Sequence, residues 1–242
     1  MTVLRARQRF GKYIIERRIA EGGFATVYQA RDTIEGIRVA LKIPFAYLLN
    51  DDMFDYFKQE VRLAARLDHP NILPLKYADY LGERFVIVTA LGEMSLEDRL
   101  QKRISLSTAV IFAEQILAAA ACAHEHRIVH CDIKPDNFLL FPENRLRLGD
   151  FGVARVAQRT LRGFGEGTVG YIAPEQAMGK PSLRSDVFSV GLILYRMFSG
   201  TLPEWPYRWP LPGNDRLRRR VHPDLIALIR KAIAVSYTHL RA

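Results

Sequence analysis

The stretch "IVHCDIKPDNFLL", Ile128 to Leu140, decides the reading of this chain. An Asp, a Lys, a second Asp and an Asn fall within the six residues Asp132 to Asn137. An apolar pair, Ile128 and Val129, precedes them, and an apolar run, Phe138 to Leu140, follows. Four such polar groups held between two apolar runs face a ligand or a reaction, because burying them unpaired would be costly. A cysteine, Cys131, stands directly before the first carboxylate. Twelve residues past Asn137 comes "GDFG", Gly149 to Gly152, and after it "GTVGYIAPE", Gly167 to Glu175.

Upstream of this stretch the chain reads first as strands. "KYIIERRIA", "ATVYQAR" and "IRVALKI" are short, rich in β-branched and aromatic residues, and separated by Gly or Asp. "DDMFDYFKQEVRLAARLDHPN" changes period: Phe54, Phe57, Val61, Leu63, Ala64 and Leu67 predict a helix, with Asp51 or Asp52 as its cap and Pro70 as its stop. Two further strands follow, "LKYADYL" and "RFVIVTAL". After "GEMS" the pattern turns helical, with "SLEDRL", the Ala-rich and buried "LSTAVIFAEQILAAAACAHEH", and "SDVFSVGLILYRMFSG", apolar nearly all round and hence central. "LIALIRKAIA" predicts a late helix. The shift near residue 90 predicts a β-rich lobe followed by an α-rich lobe, with a cleft between them.

Two features of the β-rich part bear on chemistry. "IAEGGFATVY" joins the first two strands, and a glycine-rich turn lets backbone N–H groups approach phosphates, although a Gly-Gly pair also makes a plain hairpin. "VALK" puts Lys42 on the third strand, where alternation can turn it into the cleft; a lone strand lysine otherwise faces solvent. Glu60, among apolar neighbours on the following helix, is placed to pair with it.

In their order and spacing, "VALK", "HCDIKPDN", "DFG" and "APE" resemble the signature set of the protein kinases, from about Tyr13 to about Ala234. The resemblance implies an α+β, two-lobed protein kinase fold: a small antiparallel β-rich N-lobe with one main helix, a larger α-helical C-lobe, and an ATP cleft between. It implies a domain over residues 12–234, with N-lobe 12–89, hinge 90–92 and C-lobe 93–234, behind a basic extension 1–11. By the same resemblance Lys42 would hold the α- and β-phosphates of ATP, positioned by Glu60, and Asp132 would orient and deprotonate the acceptor hydroxyl. Asn137 and Asp150 would hold Mg²⁺. Ala20, Gly22, Gly23, Val27, Ala40 and Leu91 would surround the nucleotide, with Thr89 guarding the back of the pocket. Lys134 resembles the serine/threonine-kinase lysine that contacts the transferring phosphate; Thr168 would buttress Asp132 and Lys134, and Asp186 would support the loop backbone. The implied function is a serine/threonine protein kinase resembling the small bacterial eukaryotic-like ones, acting on Ser or Thr of a protein substrate.

The sequence departs from the family pattern in three places. The phosphate loop should read G-x-G-x-x-G, but reads Ala20-Glu21-Gly22-Gly23-Phe24-Ala25, which predicts weaker ATP binding or a stiffer loop. Cys131 stands where most kinases carry an Arg that pairs with a phosphorylated activation loop. A neutral thiol cannot clamp a phosphate dianion, so activity independent of activation-loop phosphorylation is expected. Last, "LIALIRKAIA" runs into "VSYTHLRA", residues 235–242, which reads as a non-native, adapter-like tail. The Arg expected to pair with Glu175 is then missing, and Glu175 is expected to be an uncompensated carboxylate.

Composition bounds the alternatives. The 242 residues are 49% hydrophobic and carry a formal charge of +9, but Lys and Arg are scattered, with one dense block at Arg216–Arg220, and no nucleic-acid module is recognisable. No uninterrupted apolar run reaches a membrane span, and the basic start lacks the apolar core of a signal peptide, so a cytoplasmic protein is expected. Two cysteines give no disulfide framework. Cys122, His124, His126, His130 and Cys131 are zinc ligands by type but poorly spaced for one ion. The rival to an active kinase is a pseudokinase, an ATP-binding scaffold. A small-molecule kinase is disfavoured by "GTVGYIAPE", which in the family shapes a peptide ledge.

Overall fold

The structure is a computed structural model that describes residues 3–23, 25–45, 57–58, 61–151 and 169–234. The chain divides into two compact units, one of residues 1–68 and 73–92, the other of 69–72 and 93–242.

The first unit is a six-stranded antiparallel sheet in the order β1-β2-β3-β4-β6-β5. Its strands are β1 (Arg9–Phe10), β2 (Tyr13–Glu21), β3 (Ala25–Asp32), β4 (Arg38–Pro44), β5 (Leu75–Leu81) and β6 (Arg84–Ala90). The five longer strands fall where the sequence predicts them, within a residue or two at each end. Side chains alternate between faces. Tyr28, Ala30, Val39, Leu41, Ile43, Val86 and Val88 share one face and close into a core with Leu4, Tyr13 and Ile15. The predicted helix after β4 lies largely outside the described residues; 57–58 and 61–64 are helical, with Phe57 and Leu67 buried.

The second unit is mainly helical: α1 (Leu96–Leu100), α2 (Leu106–Glu125), α3 (Pro174–Ala177), α4 (Leu183–Ser199), α5 (Asn214–Arg220) and α6 (Pro223–Ala234). Ser95 caps α1 by accepting the Asp98 N–H at 3.0 Å, and Ser105 caps α2 by accepting that of Thr108 at 3.0 Å. The centre is α4, buried nearly all round, as its sequence predicts. Gly191 lets α6 approach it, since a Cβ there would lie 2.9 Å from Ala232 Cβ, and Gly200 ends α4 at φ +81°.

Taken whole, α2 is long and apolar enough to cross a membrane by length and composition alone, which a count of uninterrupted apolar runs misses. Here it packs against α4 and, through Phe112, Ile116, Ala119 and their neighbours, belongs to the core.

A three-stranded sheet, β7-β8-β9, adds β7 (Met94–Ser95), β8 (Phe138–Phe141) and β9 (Arg145–Leu148). The sequence reading did not identify the β8–β9 hairpin, although it positions the site. Its turn takes Glu143 and Asn144 to φ +63° and +56°. Phe138 pairs with Leu148, so Asn137 and Gly149 flank the same end of the hairpin, next to Asp150.

Candidate active site

In the sheet unit, register lines up the expected nucleotide residues. Ala20 pairs with Val27, Val27 with Lys42, and Ala40 with Thr89. Cross-strand partners share a face, so Ala20, Val27, Ala40, Lys42 and Thr89 lie opposite the apolar core. Lys42 and Thr89 are half-buried, and Leu91 follows directly on β6. At the glycine-rich turn, Gly22 N–H donates to Ala25 O at 3.0 Å. A Cβ at Gly23 would meet nothing within 4 Å, so these glycines leave the backbone open to an approaching group. Ala20 and Ala25 lie in β2 and β3 without positive φ, so their methyl groups impose no backbone strain there.

In the helical unit, the loop 130–137 draws its polar residues together. Lys134 Nζ lies 3.0 Å from Asp132 Oδ2. Asn137 Nδ2 donates to the same Oδ2 at 2.9 Å and to Asp132 O at 2.7 Å. A 3-10 turn at Pro135–Asn137 produces this closure, with Pro135 at its first position where a missing N–H does no harm. Asn137 is buried, while the Asp132 carboxylate keeps solvent access.

The loop is pinned from α4. Asp186, 1% exposed, accepts the N–H of His130 on Oδ2 at 2.9 Å and that of Cys131 on Oδ1 at 3.0 Å. His124 Nε2 lies 3.0 Å from Oδ2. His130 joins the loop to the segment after β9. Its Nδ1 accepts the Asp132 N–H at 3.2 Å, so Nε2 carries the proton and donates to Gly149 O at 2.9 Å. Gly149 N–H in turn donates to Asn137 O at 2.9 Å, and Phe151 packs edge-on to the His130 ring at 4.8 Å. Asp150, exposed and at φ +61°, is thus held beside Asn137.

His124, His126 and His130 are therefore hydrogen-bonded parts of the fold, with His126 Nδ1 2.9 Å from Cys122 O. Among the described residues no three His, Cys, Asp or Glu side chains converge as a metal site.

Two findings correct or extend the sequence reading. Glu175 does not lack a hydrogen-bond partner: it is half-buried, and Ser185 Oγ donates to its carboxylate at 2.6 Å. The donor is a hydroxyl on α4 rather than the arginine that the family pattern implies. A half-buried cluster lies beyond the sequence pattern. Arg196 Nη2 donates to Glu97 Oε1 at 2.7 Å, and Nη1 donates to the other Glu97 oxygen and to Tyr171 Oη at 2.7 Å. The guanidinium holds the Glu97 carboxyl below the usual carboxylate range. Burial pushes the Tyr171 hydroxyl up to about 12, against the pull of Arg196. The contact spans 99 residues, beyond any local pattern. Glu60, Thr168, Gly152 and the Thr160 region lie outside the described residues.

Comparison with known proteins agrees on the family. The profile described as "Protein kinase domain" matches residues 13–209. Serine/threonine-protein kinase PknA of Mycobacterium tuberculosis is 36% identical over 209 residues, 80% of this chain and 48% of that protein. Serine/threonine-protein kinase PrkC of Bacillus subtilis is 34% identical over 204 residues, 80% of this chain and 31% of that protein. The chain thus spans less than half the length of these relatives. The crystal structure of the Mycobacterium tuberculosis PknI kinase domain shares the fold at a TM-score of 0.70 and 21% identity, covering 96% of this chain and 91% of that one.

Proposed function

The chain belongs to the protein kinase family, and from that premise we propose that it transfers the γ-phosphoryl group of Mg-ATP to Ser or Thr hydroxyls of protein substrates. One observation carries the reading: the Asp132 carboxylate is held by Lys134 and Asn137 on a loop whose backbone a buried aspartate pins. Phosphoryl transfer asks a protein mainly for positioning and charge, and this cluster supplies both. Asp132 would orient the acceptor hydroxyl and take its proton, Lys134 would meet the transferring phosphate, and Thr168 would buttress the pair. Lys42, with Glu60, would hold the α- and β-phosphates. Gly23 would offer its backbone N–H, while Gly22, whose own N–H is held by Ala25 O, would leave room for the phosphates to approach. Ala20, Val27, Ala40, Thr89 and Leu91 would surround the nucleotide base.

The residues present fit magnesium. Asn137 spends Nδ2 on two oxygens of Asp132, which leaves Oδ1 as its outward donor, and Asp150 adds an exposed carboxylate beside it. One or two carboxylates with oxygen ligands from substrate is what Mg²⁺ takes. When bound, the ion would neutralise charge on the phosphates.

The position usually filled by Arg supports a second element of the proposal, activity without activation-loop phosphorylation. Cys131 is buried with its Sγ 3.6 Å from Val129 O, and it offers no charge to a phosphate. Replacing Thr160 and any mapped loop phosphosite by Ala is expected to leave turnover within a few-fold; collapse would overturn this element.

The test of the main reading is incorporation of γ-labelled phosphate with Mg²⁺, followed by phosphoamino-acid analysis, beside Asp132→Asn and Lys42→Met. Labelled Ser or Thr that disappears in both variants is expected. Absence of label from a folded, nucleotide-binding wild type would favour the scaffold reading.

A further inference from the structure

Gln176, on α3, is only 4% exposed, so its amide has been taken out of water and must be satisfied inside. Its Nε2 donates to the backbone carbonyl of Cys131, the residue before Asp132. The N–H of the same peptide unit, that of Asp132, donates to His130 Nδ1 at 3.2 Å. The Cys131–Asp132 peptide plane is therefore gripped at both ends, and Asp186 holds the preceding N–H at 3.0 Å.

This grip acts on a strained residue. Cys131 sits at φ +65°, a left-handed conformation that non-glycine residues keep only where the surroundings over-determine it. Releasing the carbonyl would remove one of the restraints that hold Cys131 in this conformation and free the peptide plane to turn about ψ of Cys131 and φ of Asp132. The side chain carried on the next Cα, that of Asp132, would swing with it. α3 itself is anchored to α4, since Glu175 accepts Ser185 Oγ at 2.6 Å and Ser189 Oγ donates to Tyr171 O at 2.7 Å just ahead of it.

We propose that Gln176 is a positioning residue for phosphoryl transfer, fixing the Cys131–Asp132 peptide plane and so the aim of the Asp132 carboxylate through an uncharged strap from α3. It rests on the reading of Asp132 as the residue that orients the acceptor hydroxyl. It deepens that reading by naming the contact that ties the loop to the "APE" segment where no arginine can serve.

Gln176→Met keeps the length of the side chain and removes the donor. The experiment measures kcat and KM for ATP in wild type and variant, with amide hydrogen exchange across residues 128–137 and across α4. Expected is a fall in kcat of about 10- to 100-fold, with KM for ATP changed by less than about threefold. Exchange in the loop should rise by about tenfold or more while α4 stays protected. Wild-type kcat in the variant overturns the proposal, as does exchange that rises equally in α4, because the lesion is then in the fold at large. Gln176→Glu, of the same shape but presenting a carboxylate, should lose kcat as well; full turnover there also overturns it. Exchange needs no catalysis, so the two readings fail separately. A wild type that incorporates no phosphate sinks the kinase reading and the catalytic half of this proposal. An active pair with unchanged loop exchange sinks the strap alone.

Discussion

Asp32 in the sheet unit and Asp186 in the helical unit are both 1% exposed, and they are put to different uses. Asp32 closes a turn on its own strand. Its Oδ1 accepts the N–H groups of Ile34 at 2.9 Å and Glu35 at 3.1 Å, and Lys12 Nζ lies 2.8 Å from its Oδ2. Asp186 reaches 55 and 56 residues back along the chain to the N–H groups of Cys131 and His130. Desolvation and hydrogen bonding are alike at the two sites; what each carboxylate holds in place is not. The first fixes the path between two strands. The second fixes a loop whose side chains are proposed to react. Loss of the first should cost stability, and loss of the second should cost turnover as well.

The largest effect is expected at Asp186→Asn. The amide keeps one accepting oxygen but turns its NH₂ toward the N–H of His130 or Cys131. Turnover should fall by about 100-fold or more, measured as phosphate incorporation at a temperature where the variant is still folded. A variant that keeps wild-type turnover breaks the comparison, because a pinned loop would then be unnecessary.

Asp32→Asn should leave turnover unchanged and lower Tm by about 3–6 °C. Its pH dependence sharpens the point. Burial alone would raise the Asp32 carboxyl, but the hydrogen bonds from Lys12, Glu35 and Ile34 reverse that and hold it below the ordinary carboxylate value. A carboxyl depressed in the folded state contributes stability that is complete above its unfolded pKa, about 3.9, and is lost as pH falls through the folded value. The difference in urea midpoint between wild type and Asp32→Asn should therefore be constant from about pH 5 to 7 and shrink below about pH 4. A gap that widens in acid would contradict the assignment.

The two aspartates also mark how far the sequence could be read. Local features were legible. The alternation of β2 to β6 and the all-round apolar pattern of α4 each follow from residues near one another in the chain. The meeting of Asp132, Lys134 and Asn137 was legible too, because a tight turn of a few residues makes it. The β8–β9 hairpin was not: four-residue strands such as "FLLF" give too short a pattern to tell a strand from a buried run. Distant polar contacts left no trace in spacing. Nothing in "APEQ" says that Gln176 reaches Cys131, and only the family resemblance assigned Asp186 to the loop. Glu175 shows the hazard of that route, since its expected arginine partner was sought while Ser185 stood on α4.

Glu97→Gln tests whether long reach by itself matters. The Glu97–Arg196 pair spans 99 residues. The helix of Glu97, α1, packs on the turn Pro135–Asn137, and after burial the Glu97 charge helps raise the Asp136 carboxyl, but the pair pins no backbone N–H of that loop as Asp186 does. With Arg196 left half-buried, the loss should be about 1–2 kcal/mol, between the values for exposed and buried pairs. Hydrogen bonds from Arg196 hold the Glu97 carboxyl down, so this contribution too is present above about pH 4.3 and fades in acid. Turnover should stay within about threefold of wild type. A collapse in kcat would mean that packing and charge around Asp136 support catalysis as strongly as the pinning of the loop backbone, and Asp186 would lose its special standing.

The smallest effect is expected where a contact is local and exposed at once. Arg18 and Glu21 form an ion pair within β2, with side chains 53% and 50% exposed. Solvent screens such a pair and ordering two long side chains opposes it, so Arg18→Ala should change stability by less than about 0.5 kcal/mol, read from denaturant midpoints. Asp32 is equally local but buried, so the pair of variants separates burial from proximity in sequence. If Arg18→Ala cost as much as Asp32→Asn, local contacts would matter whatever their exposure. If it costs nothing measurable, burial decides how much a polar contact stabilises. What that contact holds in place then decides whether its loss is felt in folding alone or in the proposed reaction as well.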